Sequence, residues 1–260
     1  MNLIKCCLSI MILLISMATN PMGARLKQAI LQNQSSLKLT AGFGTIMIGC
    51  SAYQFNAHKK ELLALPDASP QEQKFAREQF KAVGIKDPTS IKVKIGDQMS
   101  CFDDIVMINK DYKRQMLLTQ KKYEEFEILE FQGSLQHEGN HVKFKHKKKG
   151  VAIYNIIASI SCYHAVIKTK KPLSAIALFL LAPSAIHHAY RYHAECQADN
   201  HIQNNPIMLR ALAKSFKENH DNYYQHLSTW EQLKDVHPHP LKRAQKLEER
   251  AKQAESAQQN

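Results

Sequence analysis

The chain has no C-x-x-C pair. Its six cysteines, Cys6, Cys7, Cys50, Cys101, Cys162 and Cys196, include two side by side in an apolar segment, and the rest are isolated. That pattern excludes both a disulfide framework and a cysteine zinc site. Glycine and proline are scarce at nine each in 260 residues, which excludes a collagenous or linker-like chain. No internal repeat is evident. Lys and Arg outnumber Asp and Glu by 35 to 23, a net charge of +12, yet the lysines are scattered. With no aromatic-basic strand pattern and no zinc-knuckle spacing, a nucleic-acid partner is not expected. A charge of this size can instead serve acidic lipid headgroups or solubility. The densest run, Lys143 to Lys149, abuts an apolar stretch, which fits a membrane edge or a solvated helix end.

What is present is the composition of a folded protein. Apolar residues at 44% and charged residues at 22% argue against wholesale disorder. The length allows one substantial domain with extras, or two small ones. The opening segment, MNLIKCCLSIMILLISMATNPMGA, has the outline of a secretory signal or short signal-anchor. A second apolar segment, Leu37 to Phe55, is flanked by Lys38 and by Lys59 and Lys60. Residues 1–58 are therefore read as the signal or anchor region and 59–260 as the folded domain.

Within that domain, Ser69 caps a helix with Pro70 at its first position and Gln73 near its third. Gly84 ends it. Ile91, Val93 and Ile95 alternate with lysines, and Ile105–Ile108 form a short apolar run, so two or three strands of a small sheet are expected. Phe126, Ile128, Leu129 and Leu135 then keep a helical rhythm. Gly133 and Gly139 weaken it, each by about 1 kcal/mol against alanine. Two apolar stretches, Val151–Ile167 and Pro172–Tyr190, are split by a basic turn. They fit a membrane hairpin over 151–190, or two buried core helices. Helices follow from His193 onward, the last expected as a solvated surface helix. The fold class is α+β, mainly α with a small sheet.

Chemistry concentrates in FQGSLQHEGNHVKFKH. On a helix His137 and His141 share a face, so two imidazoles can aim at one cation. Glu138 can then accept a proton from the attacking water. A zinc site of this kind needs a third protein ligand. Glu195 is the candidate, with Asp199 one turn later able to accept a hydrogen bond from a zinc-bound histidine. Taken alone, those two acids also fit a surface pair. His187, His188, His193 and His201 are spare, and a second site at His193 and His201 is disfavoured because three ligands already complete the first.

His137-Glu138-x-x-His141 with Glu195-x-x-x-Asp199 resembles the gluzincin metallopeptidases that include HtpX and the CAAX prenyl protease. The likeness continues through Val142 and His146, in the order HExxHVxxxH, and through His237, Pro238, Arg243 and Leu247 in an HPxxxxR segment. It covers roughly Leu62 to Glu249. The chain departs from the pattern at Gly139-Asn140, where an apolar-Gly pair is usual and the helix is expected to loosen. It departs again at Met99–Phe102, where relatives carry Asn-Ala on the sheet edge.

The resemblance implies one Zn²⁺ per chain, held by His137, His141 and Glu195. It implies Glu138 as base, His237 as the group meeting the oxyanion and Arg243 as its supporting partner. The implied activity is a membrane-associated zinc endopeptidase acting on polypeptides in protein quality control, with membrane lipid as a further partner. An extended substrate is expected beside the edge strand near Ile91 to Phe102. Two alternatives stay open: a membrane-anchored chaperone or adaptor with a structural zinc, and a soluble exported peptidase.

Overall fold

In the computed structural model, which describes residues 34–110, 125–167, 172–235 and 237–259, helix α1 spans Gln34–Leu63 and α2 spans Pro70–Ala82. Ser69 caps α2 as expected, but its reciprocal partner is Glu72 rather than Gln73. Ser69 Oγ accepts from the Glu72 amide while the Glu72 carboxylate accepts from the Ser69 amide at 2.7 Å. Gln73 instead donates to the Ala68 carbonyl at 2.8 Å. Gly84 closes the helix at φ 82, which glycine adopts without steric cost. The Ile85 amide then reaches the Phe80 carbonyl at 3.0 Å, satisfying an acceptor the helix end leaves open.

Three strands follow: β1 (Lys92–Gly96), β2 (Ser100–Phe102) and β3 (Ile105–Asn109). The order is β1-β3-β2, with β1 parallel and β2 antiparallel to β3. Lysine alternation in β1 is only half realised. Lys94 is buried, its ammonium donating to the Leu65 carbonyl at 2.9 Å and pairing with Asp67 at 2.8 Å. The outer edge of β1 is also covered: Ala68 N donates to Val93 O, and Ile95 N to Pro66 O. The edge near Ile95, expected to receive an extended partner, is thus occupied by the chain itself. β2 is the other edge. Its turn holds Asp103 at φ 59, and the Asp103 carboxylate meets Lys59 and Lys148, each at 2.8 Å.

The rest is helical: α3 (Glu125–Phe144), α4 (His146–Ile167), α5 (Pro172–Asn200), α6 (Pro206–Asn222), α7 (Thr229–Lys234) and α8 (Pro240–Gln259). The class is α+β, mostly helix with a three-stranded mixed sheet. The two glycines of α3 have a packing reason. A Cβ at Gly133 would come within 2.4 Å of Leu212 on α6, and one at Gly139 within 2.9 Å of Phe80 on α2. Their absence lets both helices approach α3. Helix α8 differs from the expected solvated helix. Ala244, Leu247 and Ala251 form a fully buried stripe packed with Leu209 and Leu212 of α6.

Among the described residues, one compact unit comprises Ser51–Tyr154 with Ser184–Asn260 and contains the sheet and three hydrophobic clusters; the other takes in 34–50 with Asn155–Pro183. Among the described residues, no helix is long and apolar enough to cross a membrane. The opening apolar segment, the basic turn at 168–171 and the helix side chains over 162–180 lie outside the described residues.

Candidate metal centre

Helices α3 and α5 cross where polar side chains join them. Asn140, fully buried, donates to the Ala198 carbonyl at 3.0 Å. The expected loosening at Gly139-Asn140 is therefore not found, because the glycine seats α2 and the asparagine grips α5. Gln136 donates to Gln79 and Gln203, both at 3.0 Å. These contacts hold the two ligand-bearing helices in one register.

At the crossing, His137, His141 and Glu195 converge, all within bonding reach of a common point. His137 Nε2 lies 3.1 Å from His141 Nε2 and 3.2 Å from Glu195 Oε2, and His141 Nε2 lies 3.5 Å from Glu195 Oε1. Ligand atoms set tetrahedrally at Zn²⁺ bonding distance are roughly 3.3 Å apart. The observed edges match that figure, and two imidazoles with a carboxylate are a donor set that suits zinc. The residues fit a single metal ion.

The surroundings orient the donors. His137 Nδ1 sits 2.9 Å from Asp199 Oδ1, off the line of a straight hydrogen bond. Burial alone would lower the His137 pKa, but Asp199 and Glu195 raise it to about 10. In the metal-free protein a proton therefore occupies the place of a cation. Burial likewise opposes the charge on Glu195, yet its two histidines hold it far below the usual carboxylate range. Asp199 is lowered to about 2, with Arg243 overcoming burial.

On the other histidine, His141 Nδ1 lies 2.9 Å from His146 Nδ1, and His146 Nε2 lies 2.9 Å from Gln197 Oε1. Burial pushes the His146 pKa down to about 4, so the ring is neutral and has one N–H. That N–H points to the Gln197 oxygen, which leaves His146 Nδ1 to accept from His141 Nδ1–H. With Nδ1 so engaged, His141 turns its Nε2 to the cluster. Lys145, at φ 54, makes the break between α3 and α4 that returns His146 toward His141.

Arg243 is committed to Asp199. It donates from Nε to Asp199 Oδ2 at 2.8 Å and from Nη2 to Oδ1 at 2.7 Å, its guanidinium stacked 4.0 Å from the Phe216 ring. Arg250 closes the end of α5, donating to the carbonyls of Asp199 and Ile202. His237 is half-exposed, with Nε2 3.8 Å from Glu195 Oε1 and Nδ1 2.7 Å from Asp235. His239 turns away toward His220 and Tyr224.

A cavity of about 420 Å³ opens onto the cluster, lined by His137, Glu138, Glu195, His237 and the β2 residues Ser100 and Cys101. The Cys101 thiol sits against Glu138, and burial together with that charge pushes its pKa well up. The thiol stays neutral beside the carboxylate. Among the described residues no second cluster of metal-ligating side chains forms; His201 is exposed and bonded to the Gln197 carbonyl. Gln197, Arg250 and Cys101 were not legible as site residues. Only the two-turn spacing of Arg243 and Arg250 on α8 points to a shared face.

No family model, curated protein or solved structure matches the chain.

Proposed function

We propose that this protein is a zinc-dependent peptidase of the HtpX and CAAX prenyl protease kind. The observation that carries the reading is the convergence of His137, His141 and Glu195 beside Glu138 at the base of a cavity. A structural zinc has no use for a neighbouring carboxylate or an open approach.

Zn²⁺, when bound, polarises a peptide carbonyl and acidifies water at neutral pH. The chain supplies the remaining chemistry. Glu138 takes a proton from the attacking water and passes it to the leaving amine. Asp199, clamped by Arg243, fixes His137 by its Nδ1 side, so Arg243 is a positioning residue. His237 meets the developing oxyanion. Asp235, 2.7 Å from its Nδ1, orients the ring. One such donor is worth about 2.7–4 kcal/mol in the transition state.

The polypeptide lies extended along β2, the edge that borders the cavity, rather than along β1, whose edge residues 66–68 cover. Residues 1–58 carry the protein to a membrane or hold it there, and the catalytic domain is 59–260. The test is Glu138→Gln in the full chain. The variant keeps its zinc and loses casein hydrolysis by two or more orders of magnitude. Undiminished hydrolysis with zinc retained rejects the assignment.

A further inference from the structure

His187, Arg191, Glu195 and Asp199 follow one another at four-residue intervals on α5. All four share one face of the helix, and all four line the cavity. The inner pair belongs to the metal cluster. The outer pair, His187 and Arg191, has no role there.

Lys147, at the start of α4, lines the same wall, its ammonium 4.9 Å above the Phe102 ring of β2. Arg191 and Lys147 crowd each other electrostatically, and the Lys147 pKa is lowered by burial and then by Arg191. Neither takes part in an ion pair among the described residues, whereas nearby Lys59 and Lys148 are neutralised by Asp103. Two of the three acids lining the cavity are committed elsewhere, Glu195 to the histidines and Asp199 to Arg243; the third is Glu138, beside the metal cluster. His187 lines the wall beside them, its ring hydrogen-bonded to the Gly150 backbone and its pKa lowered by burial and by the same two cations. Two cations without an ion pair on one wall of a cavity suit an anion.

We propose that Lys147 and Arg191 form a subsite that takes a carboxylate of the bound peptide. This deepens the peptidase reading and rests on it. Arg191 precedes Glu195 by one helical turn, about 6 Å along the axis. An extended chain advances about 3.3 Å per residue, so the carboxylate lies roughly two residues from the scissile bond. An acidic side chain or a free C-terminus supplies the same group.

The experiment measures binding rather than turnover. Fluorescein-labelled alanine-leucine peptides carry one Asp, moved along the chain, and are paired with Asn versions and with free or amidated C-termini. Anisotropy titrations use the full-length Glu138→Gln protein, so that no peptide is consumed. Asp at one register, or the free C-terminus, improves affinity about tenfold over its neutral partner, and the gain shrinks as salt rises. Which arm responds identifies the source of the carboxylate. Lys147→Glu with Arg191→Glu abolishes the gain and favours Lys-bearing peptides. Lys147→Gln with Arg191→Gln abolishes the gain without reversing it, at unchanged circular dichroism. Equal affinity for Asp and Asn peptides at every register and for both termini overturns the subsite, as does a gain that survives the Glu variants. Casein hydrolysis by the unmodified protein is scored separately, so either reading can fail alone.

Discussion

Arg243 holds Asp199 by two parallel hydrogen bonds, Nε to Oδ2 at 2.8 Å and Nη2 to Oδ1 at 2.7 Å. Both side chains are buried, and Asp199 in turn faces His137. A helix from the end of the domain thereby sets the orientation of a metal ligand on α3.

Removing one member of such a pair strands a buried charge. Arg243→Ala should destabilise the fold by about 3–5 kcal/mol and weaken zinc binding about 10–100-fold. Arg243→Lys keeps the charge but loses the fork, so it should recover only part of either. Denaturant unfolding and competition with a chromophoric chelator read the two effects.

Zinc binding must displace the His137 proton. With the pKa raised from 6.5 to about 10, about one proton should leave this ring at pH 7.5. Titration calorimetry in buffers of different ionisation enthalpy measures the release. In the metal-free protein the raised His137 pKa contributes stability that is full below about pH 6.5 and lost as pH rises through about 10. Asp199 acts in the opposite sense. Its pKa is lowered from 3.8 to about 2, so its contribution is present above pH 3.8 and lost as pH falls through about 2. Thermal melts of chelator-treated protein should therefore peak between about pH 4 and 6.5.

The His141–His146–Gln197 relay depends on an acceptor at position 197. Gln197→Glu preserves the acceptor and should leave zinc affinity within about threefold of the parent. Gln197→Lys presents only donors, turns the relay over and should cost about 10–100-fold in affinity. Ring ¹⁵N shifts of the metal-free protein report the tautomers directly.

Gly133→Ala gains helix propensity of about 1 kcal/mol but drives a Cβ to 2.4 Å from Leu212. Overpacking costs about 1–3 kcal/mol, and Leu212 is buried, so the variant should melt lower. Adding Leu212→Ala should restore part of the loss that Gly133→Ala alone imposes.

Ile95→Pro removes a hydrogen bond of the fold itself, Ile95 N to Pro66 O at 2.9 Å. It should lower Tm by an amount matching about 1 kcal/mol or more. Interference with an extended peptide should come instead from N-methylating alternate peptide amides, which should cut kcat/KM about fivefold per lost bond along β2.

Local chemistry with a fixed period was readable from the chain. The Ser69 cap, the Gly84 stop and the strands β1 and β3 follow from residue types whose effects stay within a few positions. The same holds for the shared face of His137 and His141. The spacing of Glu195 and Asp199 put them one turn apart, although only the crossing of α3 and α5 brings them to the histidines. What stayed hidden depends on tertiary contact. Gly133 and Gly139 look like helix breakers until α6 and α2 are seen against them. The C-terminal helix looks solvated because its buried stripe uses small Ala244 and Ala251, which carry little apolar signal. Arg243 is legible only through its motif with His237; that its guanidinium grips a carboxylate contributed by another helix depends on the fold.

The most direct measurement is the metal content of the purified full-length chain by inductively coupled plasma mass spectrometry. One zinc per chain is expected, falling to a small fraction in Glu195→Ala and in His137→Ala while Glu138→Gln keeps the full amount. A chain that stays free of zinc when dialysed against it, or that holds the same zinc after Glu195→Ala, would contradict the account.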